Sequence, residues 1–396
     1  MPIFIAFTCC LILNAASQLL EDSDPSLAAT LNPLNTDARI NALVAELNAG
    51  TSSLDQLAAE AAALVSLSSA DARGYSVVGA IEERRGDVSR ATASYAAALD
   101  HSRTERFALT RMLSLSLASG DVAVATRYFD LLLRRWGAFS ADIAPLANDL
   151  VARPDGALAL SEALEKYPVW RGRVVDELMK SVSGVRFMAD LLLAAPQREN
   201  NWRNNLATAI YRFIALGADA EAYSLFQATL SPDEAGLAGY VFDPGFSRPG
   251  SGRSFDWSQV DGATVDASLP ATAQGPGLRI RFLDSPARLG RPNQMLYLPP
   301  GNYSLSATAN GTALAAPRGL FWQVRCISPD SVIGRVDLGE GTYDGKTFTA
   351  AFTVPENCRL QKLSLETGVT TSSWRDRYSG EILFTDVHVA RAGAGA

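Results

Sequence analysis

A chain of 396 residues, 47% apolar and 19% charged, holds material for two or three cored domains. Its 35 basic and 42 acidic residues leave a net charge of −7, and no segment sets Lys and Arg among aromatics, which excludes a nucleic-acid-binding stripe. With only His101 and His388, a Ser-His-Asp triad or a histidine metal site has almost nothing to draw on, and neither a phosphate loop nor a dinucleotide fingerprint occurs.

The chain opens with an apolar run from Ile3 to Leu13, followed by Asn14-Ala-Ala-Ser17 and an acidic stretch of Glu21, Asp22 and Asp24. Eleven residues fall short of the roughly 20 needed to span a bilayer. Small residues after an apolar core fit a signal peptide cut near Ser17. The first basic residue is Arg39, so the positive leading region is absent and an uncleaved anchor is the alternative. Residues 1–17 are therefore expected to be a signal or anchor, placing the remainder in the periplasm or cell envelope.

Residues 18–232 read as helical repeats. Asp37-Ala-Arg39 returns as Asp71-Ala-Arg73 and Gly86-Asp-Val88 as Gly120-Asp-Val122, both at an offset of 34. Gly79, Ala91, Tyr95 and Ala98 are followed by Ala125 and Phe129, and then by Gly217, Ala222 and Phe226. The glycine-to-aromatic spacing is nine each time (86 to 95, 120 to 129, 217 to 226). Small residues where two helices touch, with a ring wedged between them, resemble tetratricopeptide repeats, which implies helix pairs stacked into a solenoid with a protein-docking groove. Pro145, Pro154, Pro168 and Pro196, with the segments at Tyr167 and Asn200, break the period, so helical hairpins without the consensus are expected there.

Beyond Ser231-Pro-Asp-Glu234 the texture turns to Pro, Gly and short segments of period-two alternation, which predicts strands. Leu278, Ile280 and Phe282 face inward, with Arg279 and Arg281 outward. Leu320, Trp322, Val324 and Cys326 likewise oppose Phe321, Gln323 and Arg325, and Gln361, Leu363 and Leu365 oppose Lys362, Ser364 and Glu366. Asn310-Gly311 reads as a hairpin turn. Cys326 and Cys358, two thiols in a β domain behind an apolar leader, predict a disulfide.

Leu296-Tyr-Leu-Pro-Pro-Gly-Asn-Tyr-Ser-Leu305 and the closing Ser379-Gly-Glu-Ile-Leu-Phe-Thr-Asp-Val-His-Val389 resemble family 4/9 carbohydrate-binding modules. The resemblance spans 239–391 and implies a jelly-roll β-sandwich that binds a glycan. It also implies a structural calcium held by Asp243 and Asp386, although the first acid of the family's closing pair is Thr385 here. No cofactor is otherwise required. Sugar recognition needs rings that stack and planar hydrogen-bonding groups. Trp257, Trp374 and Tyr378 are the ring candidates, and Arg279, Arg281, Gln323, Arg325 and Glu366 form a polar floor if their strands share one face, a floor suited to acidic polysaccharide.

The expected molecule is a non-catalytic cell-envelope adaptor: repeats docking a protein, a jelly roll holding a glycan, in exopolysaccharide synthesis or export. The alternative is a polysaccharide hydrolase or lyase drawing two carboxylates from Asp256, Asp266, Glu366, Glu381 and Asp386.

Overall fold

The computed structural model describes residues 2–136, 144–166, 168–194, 202–260, 264–272, 275–369 and 374–392. The chain divides into two compact units, Met1–Leu178 and Met179–Ala396.

The first unit is helical: α1 (Pro2–Leu20), α2 (Pro25–Leu31), α3 (Thr36–Ala49), α4 (Leu54–Leu67), α5 (Ala72–Arg84), α6 (Val88–His101), α7 (Arg106–Ser119), α8 (Val122–Arg135), α9 (Ala144–Val151), α10 (Pro154–Glu165) and α11 (Arg171–Leu178). The 34-residue period is structural, because α4, α6 and α8 start at Leu54, Val88 and Val122 and each runs 14 residues. Their N-caps Ser53, Asp87 and Asp121 repeat at the same interval, and each side chain accepts a backbone N–H of its first turn, a cap worth about 1 kcal/mol. Gly86 and Gly120 precede two of these caps at φ of 81° and 80°, which a side-chain-bearing residue adopts only under strain. Tyr95 and Phe129 are both fully buried. A Cβ at Gly79 would sit 2.5 Å from the Tyr95 ring, so the small residue is what lets α5 and α6 close on that ring. In α1, Ser17 is buried and donates to the Ala28 carbonyl at 2.7 Å, packing α1 against α2. No helix among the described residues is long and apolar enough to cross a membrane.

The second unit joins α12 (Val182–Ala194), α13 (Trp202–Ala215), α14 (Asp219–Ala228) and α15 (Pro232–Ala235) to eleven strands among the described residues. The strands are β1 (Val265–Ser268), β2 (Ala271–Thr272), β3 (Gly275–Pro276), β4 (Leu278–Pro286), β5 (Asn293–Leu296), β6 (Gly301–Ala315), β7 (Leu320–Cys326), β8 (Ser331–Asp337), β9 (Gly341–Val354), β10 (Gln361–Thr367) and β11 (Arg377–Arg391). Antiparallel sheets ordered β1-β4-β11-β6-β9 and β5-β10-β7-β8 pack face to face, the jelly-roll arrangement of a β-sandwich. Their shared core includes Ile280, Phe384, Trp322, Val324 and Leu365, with the Trp322 and Phe384 rings edge to face at 5.4 Å.

Helix gives way to strand after α15, near the expected 232, but the packing units part earlier, at 178/179. The reason is where α13 and α14 bury their apolar face. Phe226, expected between the helices of its own repeat, shares a cluster with Ile210 and Phe213 of α13, and it also packs on Phe242 at 5.3 Å and Phe255 at 5.6 Å in that cluster, which takes in Leu360. Asn310 and Gly311 are not a hairpin turn. They lie inside β6 at a register shift, and a Cβ on Gly311 would meet the Tyr343 ring at 2.6 Å. Tyr167, Pro196 and Asn200 lie outside the described residues.

Candidate functional site

The inward residues of β4, β7 and β10 are all buried as expected, but two of the residues assigned outward, Phe321 and Ser364, are buried as well. The polar floor built from them does not hold, because β4 belongs to the five-stranded sheet and β7 and β10 to the other. Two sheets packed core to core turn their outer faces in opposite directions, so Arg279 and Arg281 cannot converge with Gln323, Arg325 and Glu366. The arginines are also engaged: Arg281 with Asp266 at 2.7 Å, Arg279 with Glu381 at 3.8 Å, Arg325 with Asp330 at 2.5 Å. Gln323 is half-buried, opposite Ser364 and Arg335 in register.

Two ring candidates are core residues. Tyr378 is fully buried and donates to the Gly319 carbonyl at 2.8 Å, with burial pushing its hydroxyl up to about 12. Trp257 is 3% exposed, stacks on Phe246 and donates to the Asp243 carbonyl at 2.9 Å. The Trp374 side chain and residues 370–373 lie outside the described residues.

The calcium pair does not fit a calcium. Asp243, 1% exposed, spends both carboxylate oxygens internally, on Ser247 N–H at 2.9 Å, Ser247 Oγ at 2.7 Å and Arg248 N–H at 3.3 Å. Asp386 engages His388. Calcium requires six to eight open oxygen ligands, and no group of three or more His, Cys, Asp or Glu that could hold a metal occurs among the described residues.

What the sheet does present lies on the outer face of β6, β9 and β11. Asn302, Ser304, Ser306, Thr308 and Asn310 of β6 run beside Thr347, Thr349, Ala351 and Thr353 of β9, with Asp386, His388 and Ala390 of β11 on the other flank. All are short. Several bond laterally, Thr353 donating to Asn302 at 2.8 Å and Thr308 lying 2.9 Å from Thr347. Asp386 and His388 reach this face through a β-bulge: Ile382 and Phe384 are buried, the register shifts at Thr385, and Val387 and Val389 continue the inward series. His388 then stands between Asp386 and Ser306, with Nε2 3.0 Å from the serine Oγ. Sequence reasoning missed this trio because it counted histidines rather than partners. The switch of apolar parity from 382 and 384 to 387 and 389 was the available signal.

The helical unit carries a separate cavity of about 640 Å³ between α3, α5 and α7, with Ile40, Val44, Val77 and Phe107 beside Glu83 and Arg111. Glu83 accepts from Tyr95 Oη at 2.9 Å and from Arg111 Nε at 3.0 Å, tying α5 to α6 and α7. Burial pushes the Glu83 carboxyl up, but the Arg111 and Tyr95 bonds outweigh it and hold it below its ordinary range. A depressed carboxylate stabilises the fold fully above the unfolded value of about 4.3 and loses that contribution as pH falls through the folded value. Acid titration by circular dichroism is thus expected to show a steeper loss of helical-unit stability below about pH 4.3 in the wild type than in Glu83→Gln. Superimposable profiles would remove the network from the stability of the unit.

No family model matches the chain, and no curated protein matches it. Among solved structures it is similar to a family 4 carbohydrate-binding module at 20% identity over 33% of this chain and 80% of that one, TM-score 0.25. It is also similar to TmCBM61, solved with β-1,4-galactotriose, at 17% identity over 39% and 99%, TM-score 0.28. A third likeness is to the CBM22-1 xylan-binding domain of Paenibacillus barcinonensis Xyn10C, at 18% over 38% and 93%, TM-score 0.26.

Proposed function

We propose that the protein is a glycan-binding scaffold acting outside the cytoplasm. The sandwich holds a neutral oligosaccharide on the β6–β9–β11 face, and the helical groove docks a protein partner. The observation that carries this reading is the composition of that face, a field of Ser, Thr, Asn and His, with Asp386 held by His388, set in register across three strands. Sugars need many donors and acceptors and no net charge. Short side chains already bonded to one another lose little rotamer entropy on binding, unlike Lys, Arg or Glu. The resemblance of the 296–305 and 379–389 segments to sugar-binding modules supports the same class, and the Cys326–Cys358 disulfide supports an oxidising compartment. We place the adaptor in exopolysaccharide synthesis or export. Cleavage of a glycosidic bond by paired carboxylates is the weaker reading, because Asp266 and Glu381, which flank Arg281 in register, both engage arginines.

Calorimetric titration of the full chain with neutral and uronic-acid oligosaccharides tests this. Thr347→Lys and Ala351→Lys are expected to weaken neutral-glycan binding by about tenfold or more, roughly 1.4 kcal/mol, while Arg281→Gln and Arg325→Gln leave it unchanged. Loss of binding in the arginine variants alone would sink the proposal.

A further inference from the structure

The geometry points to Ser306, His388 and Asp386 as a nucleophile, base and orienting acid for acyl transfer on the open face of the five-stranded sheet, acting on an acyl ester. For a glycan-borne ester this rests on the binding proposed above. The three residues come from two strands and meet by register: His388 is directly opposite Ser306, and Asp386 directly opposite Thr308. A carboxylate can only accept, so His388 Nδ1 carries the proton that bonds Asp386, which leaves the lone pair of Nε2 facing the Ser306 hydroxyl at 3.0 Å. That is the connectivity through which an imidazole takes a serine proton while a carboxylate sets its tautomer.

The bulge is the second observation. Were the strand regular through Thr385, with no bulge, Asp386 and His388 would share the inward parity of Ile382 and Phe384 and enter the core. With it, the imidazole and carboxylate stand partly exposed, at 47% and 37% of their side-chain surface, beside a serine that is 7% exposed. Thr349, exposed and paired with Ser306 from β9, is the hydroxyl in register to donate to a developing oxyanion.

The step balances with water as the co-reactant. Ser306 Oγ bonds to the acyl carbon as its proton moves to His388 Nε2. The bond from acyl carbon to alkoxy oxygen breaks, and the departing alcohol takes that proton. Water then attacks by the same route, releasing the carboxylic acid and regenerating the serine. Asp386 is a positioning residue throughout.

Two measurements on the full chain decide the matter: labelling with a fluorophosphonate probe followed by peptide mapping, and turnover of p-nitrophenyl acetate. Label on Ser306 that is lost in His388→Ala is expected, with a fall in turnover of about 100-fold or more in Ser306→Ala and His388→Ala at unchanged melting temperature. Asp386→Asn should lower kcat with KM unchanged, a split that a merely structural role would not produce. No label on Ser306, or turnover equal in wild type and Ser306→Ala, overturns the assignment. Calorimetry of the wild type with unesterified glycan reports on the binding proposal alone, so the two can fail separately.

Discussion

Alanine in place of Phe129 or Tyr95 is expected to destabilise the helical unit by about 3 to 5 kcal/mol, and alanine in place of Phe226 to cost the second unit a similar amount. Each ring is a large side chain buried among its neighbours. Tyr95 is flush against Gly79 and bonded through its hydroxyl to Glu83 at 2.9 Å. Phe129 meets the Trp170 ring edge to face at 5.9 Å, while that indole donates to Asp130 at 2.9 Å, so losing the phenyl ring would leave the tryptophan packed on one side only. Urea denaturation of the three variants against wild type measures this. Losses below about 1 kcal/mol at all three positions would show that these rings are not the wedges.

Reduction of the Cys326–Cys358 bond is expected to cost about 3 to 4 kcal/mol in the chain-entropy description of a cross-link. The bond has a Cα–Cα distance of 5.7 Å and a sequence separation of 32, and both cysteines are fully buried. The loop it closes contains β8 and β9, one edge strand of each sheet. Release of the cross-link therefore loosens one whole side of the sandwich, whereas β7 and β10 remain paired from Gln361 opposite Cys326. Alkylation of the denatured, unreduced protein followed by peptide mapping should leave these two sulfurs unmodified, while Cys9 and Cys10 react wherever the first 17 residues are retained. Modified Cys326 and Cys358 would refute the bond, and an unchanged denaturation midpoint after reduction would refute its energetic role.

The sequence was most legible where structure is local. Alternation in β4, β7 and β10 picks out every inward side chain, because a strand has a period of two regardless of its neighbours, and misses only that Phe321 and Ser364 of the other set are covered too. Alternation says nothing about which strand lies beside which, and the arginine floor failed on that point, since Arg279 and Arg325 belong to opposite outer faces. Trp257 and Tyr378 sit in polar-looking segments but are drawn inward by tertiary partners, Phe246 and the Gly319 carbonyl, that no window around them contains. Asp243 shows the same limit, because its carboxylate turns back onto Ser247 and Arg248 once the backbone adopts a φ of 49°. The trio at His388 was hidden twice, by a bulge and by a partner 82 positions away.

The caps at Ser53, Asp87 and Asp121 have a consequence for how such a molecule can change over evolutionary time. Each 34-residue block carries its own start signal, and Tyr95 and Phe129 supply a wedge to the two blocks that follow, so duplication or deletion of a block alters length without disturbing what remains. The sandwich has no such freedom. Its last strand, β11, lies between β4 and β6, and a segment added or lost within it would displace the strand on which both earlier ones depend. The helices from α4 to α8 can be counted out in units, and the sandwich cannot.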